Sequence, residues 1–129
     1  MEVLLNKDAY KAGYGNVVYD SSQPLHVSII EMDSPGKEVI KGTVIGKDDA
    51  GAFYILGAKK NEATITGEAV AVTCETMDCT EVDGKVNLPV YESGNLDKNY
   101  LITENDYELT DDDVMNLRKN GIFLSESMK

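Results

Sequence analysis

Apolar and polar residues alternate along most of this chain with the two-residue period of β-strands. Only near the C-terminus does the period lengthen to that of a helix. Leu25, Val27 and Ile29 occupy one face of a run whose other face carries His26 and Ser28. That pattern predicts a half-buried strand over 25–30 with the Leu25 row turned inward. Ser34-Pro35-Gly36 marks a turn. A second strand is predicted over 39–45, interrupted by Gly42 and closed by Gly46, and it returns after a turn at 48–51 as a hairpin over 52–56. Residues 58–63 form a polar loop. In the strand expected over 65–74, Val70, Val72 and Cys74 share one face, and the small residues Ala69, Ala71 and Thr73 share the other. The small face, Ala69 and Ala71 with it, predicts close packing against another element or another subunit. Residues 77–84 form an acidic loop. Val86, Leu88 and Val90 then line one face of a further strand, and Pro89 on its opposite face predicts an edge or a bulge.

The helical signal is concentrated over 109–122. Thr110 is an N-cap, because its hydroxyl can accept a first-turn N–H. Asp113, three residues on, can reach back as in a capping box, and Leu109 and Val114 hold the positions of a hydrophobic staple. Asp111 to Asp113 place negative charge at the positive end of the helix dipole, and Arg118 and Lys119 place positive charge at the other end. Gly121 suits the left-handed position after the last turn, with Ile122 folding back onto Leu117. The predicted helix spans 111–119, followed by a closing strand. The fold class expected is mostly β with one short C-terminal helix, in a single β-rich domain over 24–129.

Residues 1–23 differ in character. Val3-Leu4-Leu5 suits a short strand, and Tyr10, Tyr14 and Tyr19 are interleaved with Gly13 and Gly15. Glycine raises the entropy of ordering, whereas tyrosine offers rigid contact area with a polar tip. Two readings fit: an arm that orders on a partner surface, or the opening strands of the β-domain. An acid at position 2 and only three consecutive apolar residues resemble neither a signal peptide nor a transit peptide.

Composition narrows the chemistry. The net charge is −11, from 12 basic and 23 acidic residues. The basic pairs Lys59-Lys60 and Arg118-Lys119 are isolated, so no positive stripe is available for phosphates and nucleic acid is not an expected partner. No run approaches the ~18 apolar residues of a membrane span. The one histidine, His26, lies on the polar face of its strand and is expected at the surface. Cys74 and Cys79 cannot alone complete a four-ligand zinc site. They are a candidate disulfide across a loop, with a core thiol plus a loop thiol as the alternative. The acidic clusters lack EF-hand spacing, no phosphate-binding loop is present, and Asp78 stands where a carrier domain of the biotin or lipoyl type would have its lysine. Neither a cofactor nor a catalytic constellation is expected.

Two stretches, VYESGNLDKNYLI (90–102) and LTDDDVMNLRKNGIFL (109–124), resemble the lambda-type head decoration proteins of tailed bacteriophages. KGTVIGK (41–47) is similar to the glycine-bracketed strand that opens the folded body in that family. The resemblance covers roughly 40–124 and leaves the first 35 or so residues unmatched. It implies a compact β-rich body, an N-terminal arm that grips the shell, and a homotrimer seated on three-fold positions outside the head. The implied partner is the major capsid protein, and the implied location is the outer surface of the virion after assembly in the host cytoplasm. Under it, Tyr10, Tyr14 and Tyr19 become the candidate capsid-binding arm. Other expectations are a β-module of a tail, a fibre or the host that binds protein or glycan, and a small trimeric β enzyme.

Overall fold

The computed structural model describes residues 17–20 and 22–126. In chain order its strands are β1 (Val18–Asp20), β2 (His26–Asp33), β3 (Glu38–Val39), β4 (Val44–Lys47), β5 (Phe53–Ile55), β6 (Lys59–Lys60), β7 (Ala63–Thr64), β8 (Glu68–Thr73), β9 (Met77–Asp78), β10 (Lys85–Asp97) and β11 (Ile122–Ser125). A 3-10 turn over Lys98–Tyr100 follows β10, and the single α-helix, α1, spans Asp111–Lys119. Five strands pair in the order β10-β2-β5-β4-β8, and β8 pairs back onto β10, which closes a barrel. Only the β2–β5 junction is parallel, through the single pair Met32–Phe53.

β10 runs for 13 residues and serves two sheets. Its first part pairs antiparallel with β2, from Lys85–Asp33 to Tyr91–Val27. A bulge between Tyr91 and Ser93 then bends it out of the barrel wall. Gly94, at φ +144, continues the bend with the Leu25 side chain seated where a Cβ would project. Beyond it, Gly94–Asp97 pairs in parallel with β11 and antiparallel with β1.

Two apolar clusters follow from this geometry. Inside the barrel lie Met32, Ile45, Ile55, Ala71, Cys79, Leu88 and Val90, with Val39 closing one end. Outside one wall, α1 packs on β8 and β11 and buries Leu117 against Val72, Tyr91, Leu96 and Ile122. Burying a Leu or Ile side chain of this kind contributes about 1.5–3 kcal/mol. The helix and its cap match the expectation in detail. Thr110 Oγ1 accepts from Asp113 N at 3.1 Å, Thr110 N donates to Asp113 Oδ2 at 2.9 Å, and Gly121 takes φ +94 after the last turn.

Several expectations are corrected. The faces of β2 are reversed: Ser28, Ile30 and Met32 turn inward, and Leu25, Val27 and Ile29 face solvent. Ala69 and Ala71 are buried within the chain, on the helix side and the barrel side respectively, so neither lines a subunit contact. A shift in the β4–β8 register beside Gly46 breaks the simple alternation of β8. The strand expected over 39–45 is two pieces. Gly42, at φ +97 and tight against Tyr100 O, turns the chain between β3 and β4. The loop over 58–63 is the small hairpin β6–β7, whose turn residues Asn61 and Glu62 both take positive φ. Pro89 marks neither an edge nor the bulge: β10 has β2 on one side and β8 on the other here, and the bulge falls at Tyr91–Ser93. The Pro89 carbonyl accepts from Cys74 N at 3.0 Å on the β8 side, so its missing N–H falls where the β8–β10 ladder begins and deletes no bond to β2.

The cap supplies a direct test. Thr110→Ala should lower stability by about 1 kcal/mol, since an orphan N–H and its reciprocal partner are both released. Denaturant unfolding of the two proteins measures it, and an unchanged midpoint would place the helix start elsewhere.

Candidate interaction surface

The tyrosines of the expected arm divide at the edge of the described region. Tyr10 and Tyr14 lie outside the described residues. Tyr19 is in β1, 44 % exposed, on a strand paired with β10 and preceded by the buried Val17. Residues 17–20, assigned by sequence to the arm, are therefore a strand of the body. A polar cluster fixes them there. Asn95 Nδ2 donates to Asp20 Oδ1 at 2.9 Å and to Ser22 Oγ at 3.1 Å, and Ser125 Oγ donates to Asn95 Oδ1 at 2.9 Å. Hydrogen bonds from the Ser22 hydroxyl and N–H, and then from Asn95, hold the Asp20 carboxyl below its ordinary value.

Next to Tyr19's strand runs the most exposed apolar row among the described residues. Leu25 is 46 % exposed, Val27 58 % and Ile29 69 %. They share the outer face of β2, and Pro89 stands opposite Ile29 on β10. The row is anchored at one end, where Ser93 Oγ donates to Pro24 O at 2.8 Å, and bounded at the other by Asp33, ion-paired with Lys85 at 2.8 Å. Sequence reasoning placed this row inside. The phase of Glu31 and Asp33, which continue the same face, was the signal that it points outward.

The remaining candidates are structural. Cys74 and Cys79 stand as free thiols in this structure. β8 ends at Thr73 with Cys74 packed on the helix-side cluster, whereas β9 pairs with β3 and carries Cys79 into the barrel. Burial raises both thiols above their ordinary values, with Glu75 adding to Cys74 and Asp78 to Cys79, which disfavours a thiolate at neutral pH. His26 is exposed. A cleft of about 370 Å³ is lined in part by Tyr54, Lys59, Lys60, Asp33 and Glu104. Glu104 pairs with Lys37 and Asp33 with Lys85, so those two carboxylates already have cations. Among the described residues, no three His, Cys, Asp or Glu side chains gather as a metal site, and no helix is long and apolar enough to cross a membrane.

Near the helix start lie the buried Asp113 and Tyr54 and the half-buried Tyr107. Tyr107 Oη donates to Asp113 Oδ2 at 2.6 Å, which ties the preceding loop to the cap. Burial, then the Asp113 hydrogen bond and charge, push the Tyr107 phenol up to about 12. Tyr54 is 6 % exposed, its ring tip wedged between Gly46 and Gly67, and its hydroxyl has no partner among the described residues. Neither any family model nor any curated protein matches the chain.

Two outcomes follow from this cluster. Tyr54→Phe removes a buried hydroxyl that makes no bond, so stability should hold or rise, by up to about 1–3 kcal/mol; a loss on denaturation would reveal a partner for that hydroxyl. Tyr91, whose phenol burial likewise pushes up to about 12, and Tyr107 stay protonated in the fold while the unfolded chain ionises near 10. Their contribution is complete below pH 10 and is lost as pH rises towards about 12. Over that interval the wild type should lose more stability than Tyr107→Phe, and parallel losses would refute the linkage.

Proposed function

We propose that this chain is a capsid decoration protein: a homotrimer that binds the outside of a phage head at three-fold positions and stabilises the shell. The observation that carries this reading is the resemblance of 90–102 and 109–124 to the lambda-type decoration family, supported by where those stretches sit. They are separated by only six residues, and the chain folds back so that Gly94–Asp97 and Ile122–Ser125 are adjacent parallel strands, with α1 packed on β11. The resembling residues thus build one compact unit rather than scattered pieces.

The energetics of such a role need no chemistry. Three modest contacts joined in one rigid trimer bind far more tightly than one, because the second and third form at high effective concentration. A trimer that bridges neighbouring capsid subunits binds only the assembled shell, so its binding free energy adds to shell stability by mass action. The net charge of −11 per chain keeps such an assembly soluble at high concentration and disfavours adhesion to DNA. Tyr10, Tyr14 and Tyr19 are the proposed grip on the major capsid protein, at the virion surface.

A second reading, a β-module that binds another protein in a tail, a fibre or the host, is favoured by the exposed Leu25, Val27 and Ile29 row. Such rows mark interaction sites when contiguous.

Solution mass and head binding test the proposal together. The protein should sediment at three times the 14.1 kDa chain. Mixed with empty phage heads, it should add density at three-fold positions and raise their melting temperature. Tyr10→Ala with Tyr14→Ala should weaken that binding and leave the trimer intact. A monomer at micromolar concentration, or heads left bare, would overturn the proposal.

A further inference from the structure

Among the described residues, one side of β2 has almost no ladder. Its β10 side is fully paired, but its other side meets β5 only at Met32–Phe53. The direction of the backbone groups follows from Pro89. That residue spends its carbonyl on Cys74 N, on the β8 side, so Pro89 and its partner Ile29 exchange no hydrogen bonds. The N–H and C=O of Ile29 therefore point away from β10, and with period two so do those of Val27. The outcome is an open strand edge with an apolar row beside it, a template for a further strand. Ile30 of β2 also lines a cavity of about 190 Å³ with Phe53, Val70, Val90, Lys47 and Glu92.

We propose that this edge is the docking place of the chain's own N-terminal segment, with Val3-Leu4-Leu5 adding as an antiparallel strand beside Val27–Ile29. Reach permits it. Val17 O accepts from Asp97 N, and Val27 stands beside Tyr91, six residues back along β10 or about 20 Å away. Residues 6–16 span up to about 37 Å when extended, and Gly13 and Gly15 supply a place to turn. Direction agrees as well: β2 runs away from the Asp97 end, so a chain returning towards Val17 runs antiparallel to it.

Chemistry selects the same occupant. Residues 1–16 hold two acids, Glu2 and Asp8, and two lysines, Lys7 and Lys11. The whole net charge of −11 therefore lies on the rest of the chain, and a neutral apolar strand meets the edge without the repulsion that a second acidic copy would bring. Tethering gives the segment a local concentration of about millimolar, which favours its own body over a neighbour's. In a ladder with β2, Val3 and Leu5 would extend the Val27–Ile29 row, and Leu4 would turn towards the barrel mouth. Covering the edge also removes a site for strand-to-strand aggregation.

The test is amide hydrogen exchange on the intact protein, with no shell present. The Val27 and Ile29 amides should exchange about tenfold or more slowly in the wild type than in a V3D/L4D/L5D variant. The same difference should appear with V3G/L4G/L5G, and Ile45, between β4's two neighbours, should stay protected in all three. Edge amides that exchange equally fast in wild type and variants would overturn the proposal. So would protection that grows with protein concentration, which would assign the edge to a second copy. Because no head enters the experiment, neither result bears on shell binding.

Discussion

The fold depends on the hydrogen-bonding capacity of one strand. Among the described residues β10 alone pairs in both sheets, and each segment of its length has a different set of neighbours. Lys85–Leu88 holds β2 alone, Val90 and Tyr91 hold β2 and β8, and Gly94–Asp97 holds β1 and β11. Such a strand cannot be straight, because a barrel wall and a three-stranded platform diverge. The bulge at Tyr91–Ser93 and Gly94 concentrate the bend in a few residues, so the ladders on either side remain regular. Val90, Leu88 and Leu96 are wholly buried on either side of this bend. A change there would act on the barrel and the helix platform at once.

Legibility in the sequence followed how local each determinant is. α1 was read to its end residues, because cap, box, dipole charges and terminal glycine all lie within thirteen positions, 109–121. The β4–β5 hairpin and the inward row of β10 were likewise carried by short-range alternation. What failed was long-range. The inward face of β2 depends on its pairing with β10 and β5 in the closed barrel, and its first residues are apolar on one side only by a run that the barrel turns outward. β8 lost its alternation to a register shift set by its partner, not by its own residues. The β6–β7 turn was missed because Glu62 is an unusual occupant of a positive-φ position. Of the candidate site, Tyr19 was named for its composition, whereas the neighbouring Leu25, Val27 and Ile29 row was assigned to the core.

The charged groups behave as a solvent-facing shell around these clusters rather than as a site. Asp33 and Lys85 are an exposed pair on opposing strands, and such pairs contribute little in water. Asp97 and Asp113 are buried instead, and Asp97 accepts from Asn99 N at the 3-10 turn. Asp113 is 5 % exposed, accepts from Thr110 N and Tyr107 Oη, and sits in the first turn of α1, where the helix dipole favours a carboxylate. One buried acid thereby joins the loop before the helix, the cap and the helix axis. That is a structural use of chemistry, and it accounts for a buried carboxylate without any substrate.

The apolar row on β2 resists the same kind of account. The barrel is sealed on the β2 side by Ile30 and Met32, which pack with Leu88, Val86 and Phe53, and Ser28 lies opposite Val90. Nothing in that packing requires Leu25, Val27 and Ile29 to be apolar on the outside. Lysine or glutamate at these positions would leave every inward contact intact and would protect the edge from unwanted pairing. Leu25 has a partial reason, since its side chain fills the space over Gly94. Among the described residues Val27 and Ile29 make no such contact, and as β-branched residues they suit a strand by propensity. At 58 % and 69 % exposure they also present apolar surface beside the edge, where a polar residue would have discouraged pairing.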